Sequence, residues 1–174
     1  MVVAVLLWAS GRRWDDLAKV EARGVSILKE EEGFLLMRLM WAQGKTDRWG
    51  LGEEVDVELR GEEADLVSAW LHRRLGKAKG AAGLLTLSYT HFLKDIRLVH
   101  PTWSAHSFRH GVVTHLLHLG YPLRQVALLT GHHDLVVARQ HYAKRRDEED
   151  VVQQRAMGRV LGQAVARVRS VPPE

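Results

Sequence analysis

The residues best suited to chemistry in the second half of the chain are a histidine and an arginine three positions apart. His106 and Arg109 lie in the first turn of a helix predicted over residues 106–119, so they share one helical face. A helix N-terminus favours an anion, and a guanidinium can grip two oxygens of a phosphate at once. The pattern predicts a phosphate site, although an ordinary surface His-x-x-Arg pair would look the same.

A second arginine begins a helix near the N-terminus. Gly11 turns the chain after an apolar run, Arg13 follows, and Asp16 lies three residues further on. Asp16 can reach Arg13 across one helical turn and hold its guanidinium in place. A capped surface helix with a simple ion pair is the alternative interpretation.

Three further side chains complete the set of candidates. His132 follows Gly131, which ends a predicted helix, and Tyr142 lies ten residues later. Lys45 lies in a turn between two predicted strands. Each has an ordinary explanation as well, namely a loop histidine, an amphipathic core tyrosine and a solvated lysine.

Composition limits the classes of function that remain. The chain has 174 residues, of which 46% are hydrophobic and 26% charged, as expected for a soluble globular domain. It has no cysteine, which excludes disulfides, thiolate catalysis and cysteine-ligated zinc. The longest apolar run, residues 1–9, is too short to span a membrane and predicts a buried helix. The formal charge of +4 is compatible with a polyanionic partner.

The hydrophobic pattern predicts a mostly α fold with one small three-stranded antiparallel sheet, an α+β class. The predicted strands are Val25–Leu28, Phe34–Trp41 and Val55–Leu59, with a polar turn over residues 44–52. The predicted helices cover residues 2–9, 14–22, 62–75, 86–98, 106–119, 122–130, 134–143 and 148–168.

Taken in chain order, the segments that carry the candidate residues resemble the conserved motifs of the tyrosine recombinases, the phage-integrase and Xer-like family. The family segment T-G-x-R-x-x-E-L is matched by residues 10–17, and choosing Arg13 over Arg12 keeps Asp16 and Leu17 in step with it. Other family features are a lysine between the second and third strands, an H-x-x-R helix start, an L-G-H turn and a tyrosine. They are matched by Lys45, residues 106–109, residues 129–132 and Tyr142.

The resemblance implies a site-specific DNA recombinase or integrase that cuts and rejoins strands without ATP, metal or any other cofactor. Tyr142 would attack the scissile phosphate and form a 3′-phosphotyrosine. Arg13 and Arg109, the first supported by Asp16, would bind the non-bridging oxygens in the transition state.

The remaining roles concern protons and hydrogen bonds. His106 would accept the proton of the attacking phenol, and His132 would donate a hydrogen bond to the phosphate. Lys45 would protonate the leaving 5′-oxygen. Basic residues expected to follow the DNA backbone are Arg12, Arg48, Lys77, Lys79, Arg97 and Arg124.

The resemblance also implies an organisation and partners. Residues 1–145 would form the tyrosine recombinase catalytic domain, without the N-terminal core-binding domain that relatives carry. Residues 146–174 would form a C-terminal helix and tail that docks in cis or in trans. The expected partners are double-stranded DNA and other recombinase protomers, as a dimer or tetramer, with no membrane. The expected location is inside the cell, with the DNA.

Two other classes of function remain open at this point. The stretch over residues 116–132 can be interpreted as a helix-turn-helix, in a regulator or a degenerate recombinase that binds DNA without cutting it. A metal enzyme is the second class, since His106 and His110 are four residues apart and His115 and His118 three apart.

Overall fold

A computed structural model describes residues 1–41, 53–78 and 81–131 of the chain. Within these residues, two α-helices precede a three-stranded sheet in the sequence, and four follow it. This arrangement confirms the prediction of a mostly α fold with one small antiparallel sheet. The helices predicted over 134–143 and 148–168, and the segment 146–174, lie outside the described residues.

The elements are numbered in chain order. The helices are α1 (Val2–Ser10), α2 (Trp14–Ala18), α3 (Glu62–Lys77), α4 (Tyr89–Val99), α5 (Ala105–His118) and α6 (Leu123–Thr130). The strands are β1 (Val25–Glu31), β2 (Phe34–Trp41) and β3 (Glu53–Arg60), and a short 3₁₀ helix, Ala22–Gly24, precedes β1. None of the described helices is long and apolar enough to cross a membrane.

Helix α1 lies at the centre of the core because its sequence is apolar on almost every side. It packs against α5, α3 and β3. Its buried apolar residues are Val3, Ala4, Val5, Leu6 and Leu7. The buried helix predicted from the first apolar run is therefore confirmed, and the chain leaves it at Gly11.

The sheet has the order β1-β2-β3, and both strand pairs are antiparallel. Alternate residues of β2, Leu35, Met37 and Leu39, are fully buried, as expected for a sheet with one face against the core. On the other face, Arg38 donates two hydrogen bonds to Asp56, at 2.7 Å and 2.9 Å. These hydrogen bonds lower the pKa of the Asp56 carboxyl.

The helix predicted over residues 14–22 is shorter in the structure and ends at Ala18. Val20 is fully buried, and its carbonyl accepts a hydrogen bond from the Leu84 N–H at 2.7 Å. A backbone carbonyl needs a partner when it is buried, and here the partner comes from a distant loop. Tertiary pairing has therefore replaced the last turn that local sequence would allow.

Serine residues set the starts of α4 and α5. The Ser88 hydroxyl accepts a hydrogen bond from the His91 N–H at 3.3 Å, so α4 begins later than the predicted residue 86. Before α5, the Ser104 N–H donates to the Ser107 hydroxyl at 3.1 Å. The second cap fixes the first turn of α5, which carries His106 and Arg109.

We predict that Leu6→Ala lowers the free energy of unfolding by about 2–5 kcal/mol, because it removes a fully buried side chain from the core. Leu98→Ala is the matched control, since Leu98 is 83% exposed and its loss should change stability by less than about 0.5 kcal/mol. Urea denaturation followed by circular dichroism measures both. Similar losses for the two variants would contradict the central place of α1.

Candidate active site

A cavity of about 360 Å³ lies where the first residues of α2, α4 and α5 meet. It brings together Arg13, His106 and Arg109, three of the predicted catalytic side chains. We call it the arginine pocket. The residues that line it are Arg13, Trp14, Asp15, Tyr89, Ala105, His106 and Arg109.

Arg13 reaches the pocket from the turn between α1 and α2. It is exposed, precedes the first residue of α2 and has an extended backbone, with φ −74° and ψ 156°. The Asp16 carboxylate accepts a hydrogen bond from the Arg13 backbone N–H at 3.1 Å. Asp16 was expected to hold the Arg13 guanidinium, and it instead fixes the main chain that carries this side chain.

His106 and Arg109 reach the pocket from the first turn of α5. The backbone N–H groups of the first turn and the helix dipole make this end of a helix favourable for an anion. His106 is exposed, whereas Arg109 is only 2% exposed. The two side chains therefore give the pocket one solvent-facing ring and one buried guanidinium.

The Arg109 guanidinium also holds two turns of the chain together. Its Nη1 donates to the Gly11 carbonyl at 3.0 Å and to the Thr130 carbonyl, and its Nη2 donates to the Gly131 carbonyl at 3.5 Å. Carbonyl oxygens accept hydrogen bonds without a formal charge, so these bonds position the guanidinium without neutralising it. The same residue thus serves the fold and borders the pocket.

The two turns approach each other closely. Gly11 ends α1 with φ 61°, and Gly131 ends α6 with φ 71°, both in the left-handed region that favours glycine. A Cβ on Gly11 would lie 2.9 Å from Cγ2 of Thr130. Glycine at position 11 therefore serves both the turn and the contact with α6.

Arg12 lies on the inner side of the same turn. It is 9% exposed, and its Nη1 donates to Oε2 of Glu53 at 3.1 Å. The prediction that Arg12 lies on a DNA-facing surface is therefore wrong. Burial of the guanidinium became possible because Glu53, at the start of β3, supplies a carboxylate for it.

The other predicted basic and catalytic residues fall into two groups. Those that the structure places on the surface, as predicted, are Lys77, Arg97 and Arg124. Those that lie outside the described residues are Lys45, Arg48, Lys79, His132 and Tyr142. Their roles therefore stay predictions.

Two aromatic residues in the pocket wall were not anticipated from the sequence. The rings of Trp14 and Tyr89 lie 5.2 Å apart between centroids, and Trp14 also packs on Phe92 at 5.0 Å. Tyr89 is distant from Arg13 in the chain, so spacing alone could not reveal it. The position of Trp14, directly after Arg13, was the one available signal.

The two histidine pairs that the sequence offers as metal ligands, His106 with His110 and His115 with His118, both lie in α5. In residues 1–41, 53–78 and 81–131, no group of three or more histidine, aspartate or glutamate side chains is arranged to hold a metal ion.

A comparison against protein families identifies the family of this chain. The phage integrase family matches residues 6–149, which is most of the chain. The chain belongs to this family. No curated protein sequence matches it.

Solved structures with a similar fold are recombinases and integrases. XerA recombinase gives a TM-score of 0.61 at 16% identity, over 91% of this chain and 57% of that one. XerH recombinase bound to its difH substrate gives 0.56 at 17% identity, over 87% and 44%. The Tn1549 transposon integrase, in complex with transposon right end DNA, gives 0.51 at 15% identity, over 92% and 58%.

These likenesses confirm the tyrosine recombinase catalytic-domain fold. At such low identities they show the fold alone. The chain spans between 44% and 58% of the length of these three structures.

We predict that Gly11→Ala lowers the melting temperature, because the left-handed backbone costs a side chain roughly 1–2 kcal/mol and Thr130 must also move. Gly76→Ala is the matched control within α3, where an added Cβ would have no atom within 4 Å. It should leave stability unchanged or raise it by up to about 1 kcal/mol. Differential scanning calorimetry measures both variants. Equal melting temperatures for Gly11→Ala and the wild type would show that the turns do not need their close contact.

Proposed function

We propose that this protein is a site-specific DNA recombinase that cuts and rejoins strands through a 3′-phosphotyrosine at Tyr142. The observation that carries the proposal is the arginine pocket, in which Arg13, His106 and Arg109 converge from two helix starts. Two guanidiniums and an imidazole at a helix N-terminus form a site of the chemistry that a phosphodiester requires.

The two arginines have complementary tasks in this reaction. A phosphoryl transition state concentrates negative charge on the non-bridging oxygens, and preorganised donors lower its energy. Arg109 is held by carbonyl oxygens, so its donors are fixed before DNA arrives. Arg13 is exposed and can close on the phosphate once it is bound.

The covalent step balances without a cofactor. The Tyr142 oxygen forms a bond to phosphorus while the bond from phosphorus to the 5′-oxygen breaks. His106 accepts the phenol proton, and Lys45 gives a proton to the 5′-oxygen. His132 donates a hydrogen bond to the phosphate. The phosphotyrosine ester conserves the bond energy, so a 5′-hydroxyl can reverse the step without ATP.

Double-stranded DNA is the proposed partner, together with further protomers on the same DNA. The XerH structure is a complex with its difH substrate, and the Tn1549 integrase structure contains transposon right end DNA. On this chain, the exposed Lys77, Arg97 and Arg124 are proposed to contact the DNA backbone. Residues 1–145 would form the catalytic domain, and residues 146–174 a helix and tail that docks in cis or in trans.

We predict that Tyr142→Phe abolishes covalent attachment to DNA while DNA affinity stays within a factor of about three. The change removes the nucleophilic oxygen and keeps the aromatic ring. A nicked suicide substrate, analysed by denaturing gel and by mass spectrometry of the peptide adduct, provides the measurement. An undiminished adduct in Tyr142→Phe would assign the nucleophile to another residue. DNA binding without any adduct in the wild type would favour the non-catalytic alternative.

We predict that Arg13→Ala slows adduct formation by about 10²–10³-fold, because one transition-state donor is lost. Its free energy of unfolding should change by less than about 0.5 kcal/mol, since the side chain is exposed. Arg109→Ala should lower both the rate and the stability. It leaves buried carbonyls without their donor, at about 1–3 kcal/mol for each unsatisfied group.

Single-turnover kinetics and urea denaturation of the two variants provide the comparison. If Arg109→Ala slows cleavage with no loss of stability, its guanidinium does not hold the turns. If Arg13→Ala leaves the rate unchanged, Arg13 does not contact the reacting phosphate.

A further inference from the structure

The buried neighbour of Arg13 joins three parts of the fold. The Arg12 side chain is 10% exposed, and that of its ion-pair partner, Glu53, is 25% exposed. Glu53 is the first residue of β3. The ion pair therefore connects the turn after α1 to the edge of the sheet.

The Arg12 guanidinium also lies against the turn after α6. A Cβ on Gly131 would overlap Nη1 of Arg12 and would lie 3.0 Å from Cζ. The guanidinium thus occupies the space that a side chain at position 131 would take. Arg12 contacts the same turn that Arg109 binds through the Thr130 and Gly131 carbonyls.

The two adjacent arginines leave the turn on different sides. Arg12 is buried against Glu53 and Gly131, whereas Arg13 is exposed and lines the pocket. Anchoring Arg12 on the inside therefore sets the direction in which Arg13 leaves the turn.

Stability alone explains this ion pair poorly. Removing a guanidinium and a carboxylate from water costs energy that their attraction repays only in part, and an apolar pair of similar size often gives equal or better stability. A partly buried ion pair such as this one does supply a defined geometry, because its hydrogen bonds are directional. The pair between Arg12 and Glu53 is better explained by the position it imposes.

We propose that Arg12 is a positioning residue, whose guanidinium, paired with Glu53 and seated against Gly131, holds the α1–α2 turn so that Arg13 points into the arginine pocket. This inference rests on the proposed recombinase function. Arg12 does not contact the phosphate, and it acts on the reaction through Arg13.

The first experiment measures single-turnover adduct formation on nicked DNA at saturating DNA concentration. Arg12→Met removes the charge and keeps the length of the stem. It should slow the reaction by between about tenfold and about a hundredfold, the effect of a small misplacement of a catalytic group. DNA affinity should stay within a factor of about three. Arg12→Lys keeps a cation for Glu53 and should restore most of the rate.

Glu53→Gln tests the same contact from the sheet, and it should also slow the reaction at saturation. Thermal unfolding shows whether each variant is folded. If Arg12→Met is not, Glu53→Gln is compared with the wild type in its place. A wild-type rate in a folded Arg12→Met or Glu53→Gln variant would overturn the positioning role.

A double-mutant cycle separates positioning from general destabilisation. In an Arg13→Lys background the planar guanidinium is absent, so the direction of the side chain at position 13 matters less. Arg12→Met should then slow adduct formation by at most about threefold. A variant that only weakens the fold would slow both backgrounds by the same factor, and that result would overturn the proposal.

The behaviour of the wild type distinguishes failure of the proposed function from failure of the positioning role. If the wild type forms no adduct at all, the proposed function fails and the positioning role fails with it. If the wild type forms an adduct while the cycle is additive, the positioning role alone fails.

Discussion

The fold around the pocket depends on a buried guanidinium that binds main-chain oxygens. Arg109 is almost fully buried and donates to carbonyls of two turns that lie far apart in the sequence. A helix end leaves carbonyl groups without intrahelical partners, and both turns follow helix ends. Arg109 supplies those partners, so the ends of α1 and α6 are held at the position where α5 begins.

The pocket follows from this arrangement together with the position of one glycine turn. After α1 ends at its glycine turn, the chain enters α2 with Arg12 buried and Arg13 exposed. The Asp16 carboxylate then holds the first turn of α2 through the backbone N–H of Arg13. Hydrogen bonds to the main chain therefore fix the turns and helix starts from which the side chains of the site extend.

Much of the fold could be predicted because its signals are local. The alternation in β3 and the apolar run of α1 predicted these elements closely, and the spacing of His106 and Arg109 placed them on one helical turn. The family motifs added the order of the site residues. These signals need only a few neighbouring residues, so the single sequence contains them.

The remainder depended on distant partners. The family motif favours Arg13 over Arg12 as the catalytic residue, but the burial of Arg12 depends on Glu53 and on the turn at Gly131, which lie in other elements. The contact of Tyr89 with the pocket also joins segments that are far apart. Likewise, α2 is short because Val20 pairs with Leu84. None of these contacts between distant segments can be inferred from a single sequence without its three-dimensional structure.

The burial of Arg109 also constrains how the protein could change during evolution. On the proposed function, a lineage that stopped cutting DNA could lose Arg13 at little cost in stability, because its side chain is exposed in the described part of the chain. Arg109 is different, because its loss would release two turns at once. Selection for folding would therefore preserve half of the proposed phosphate clamp long after selection for chemistry had ended, and inactive descendants would retain it as a relic.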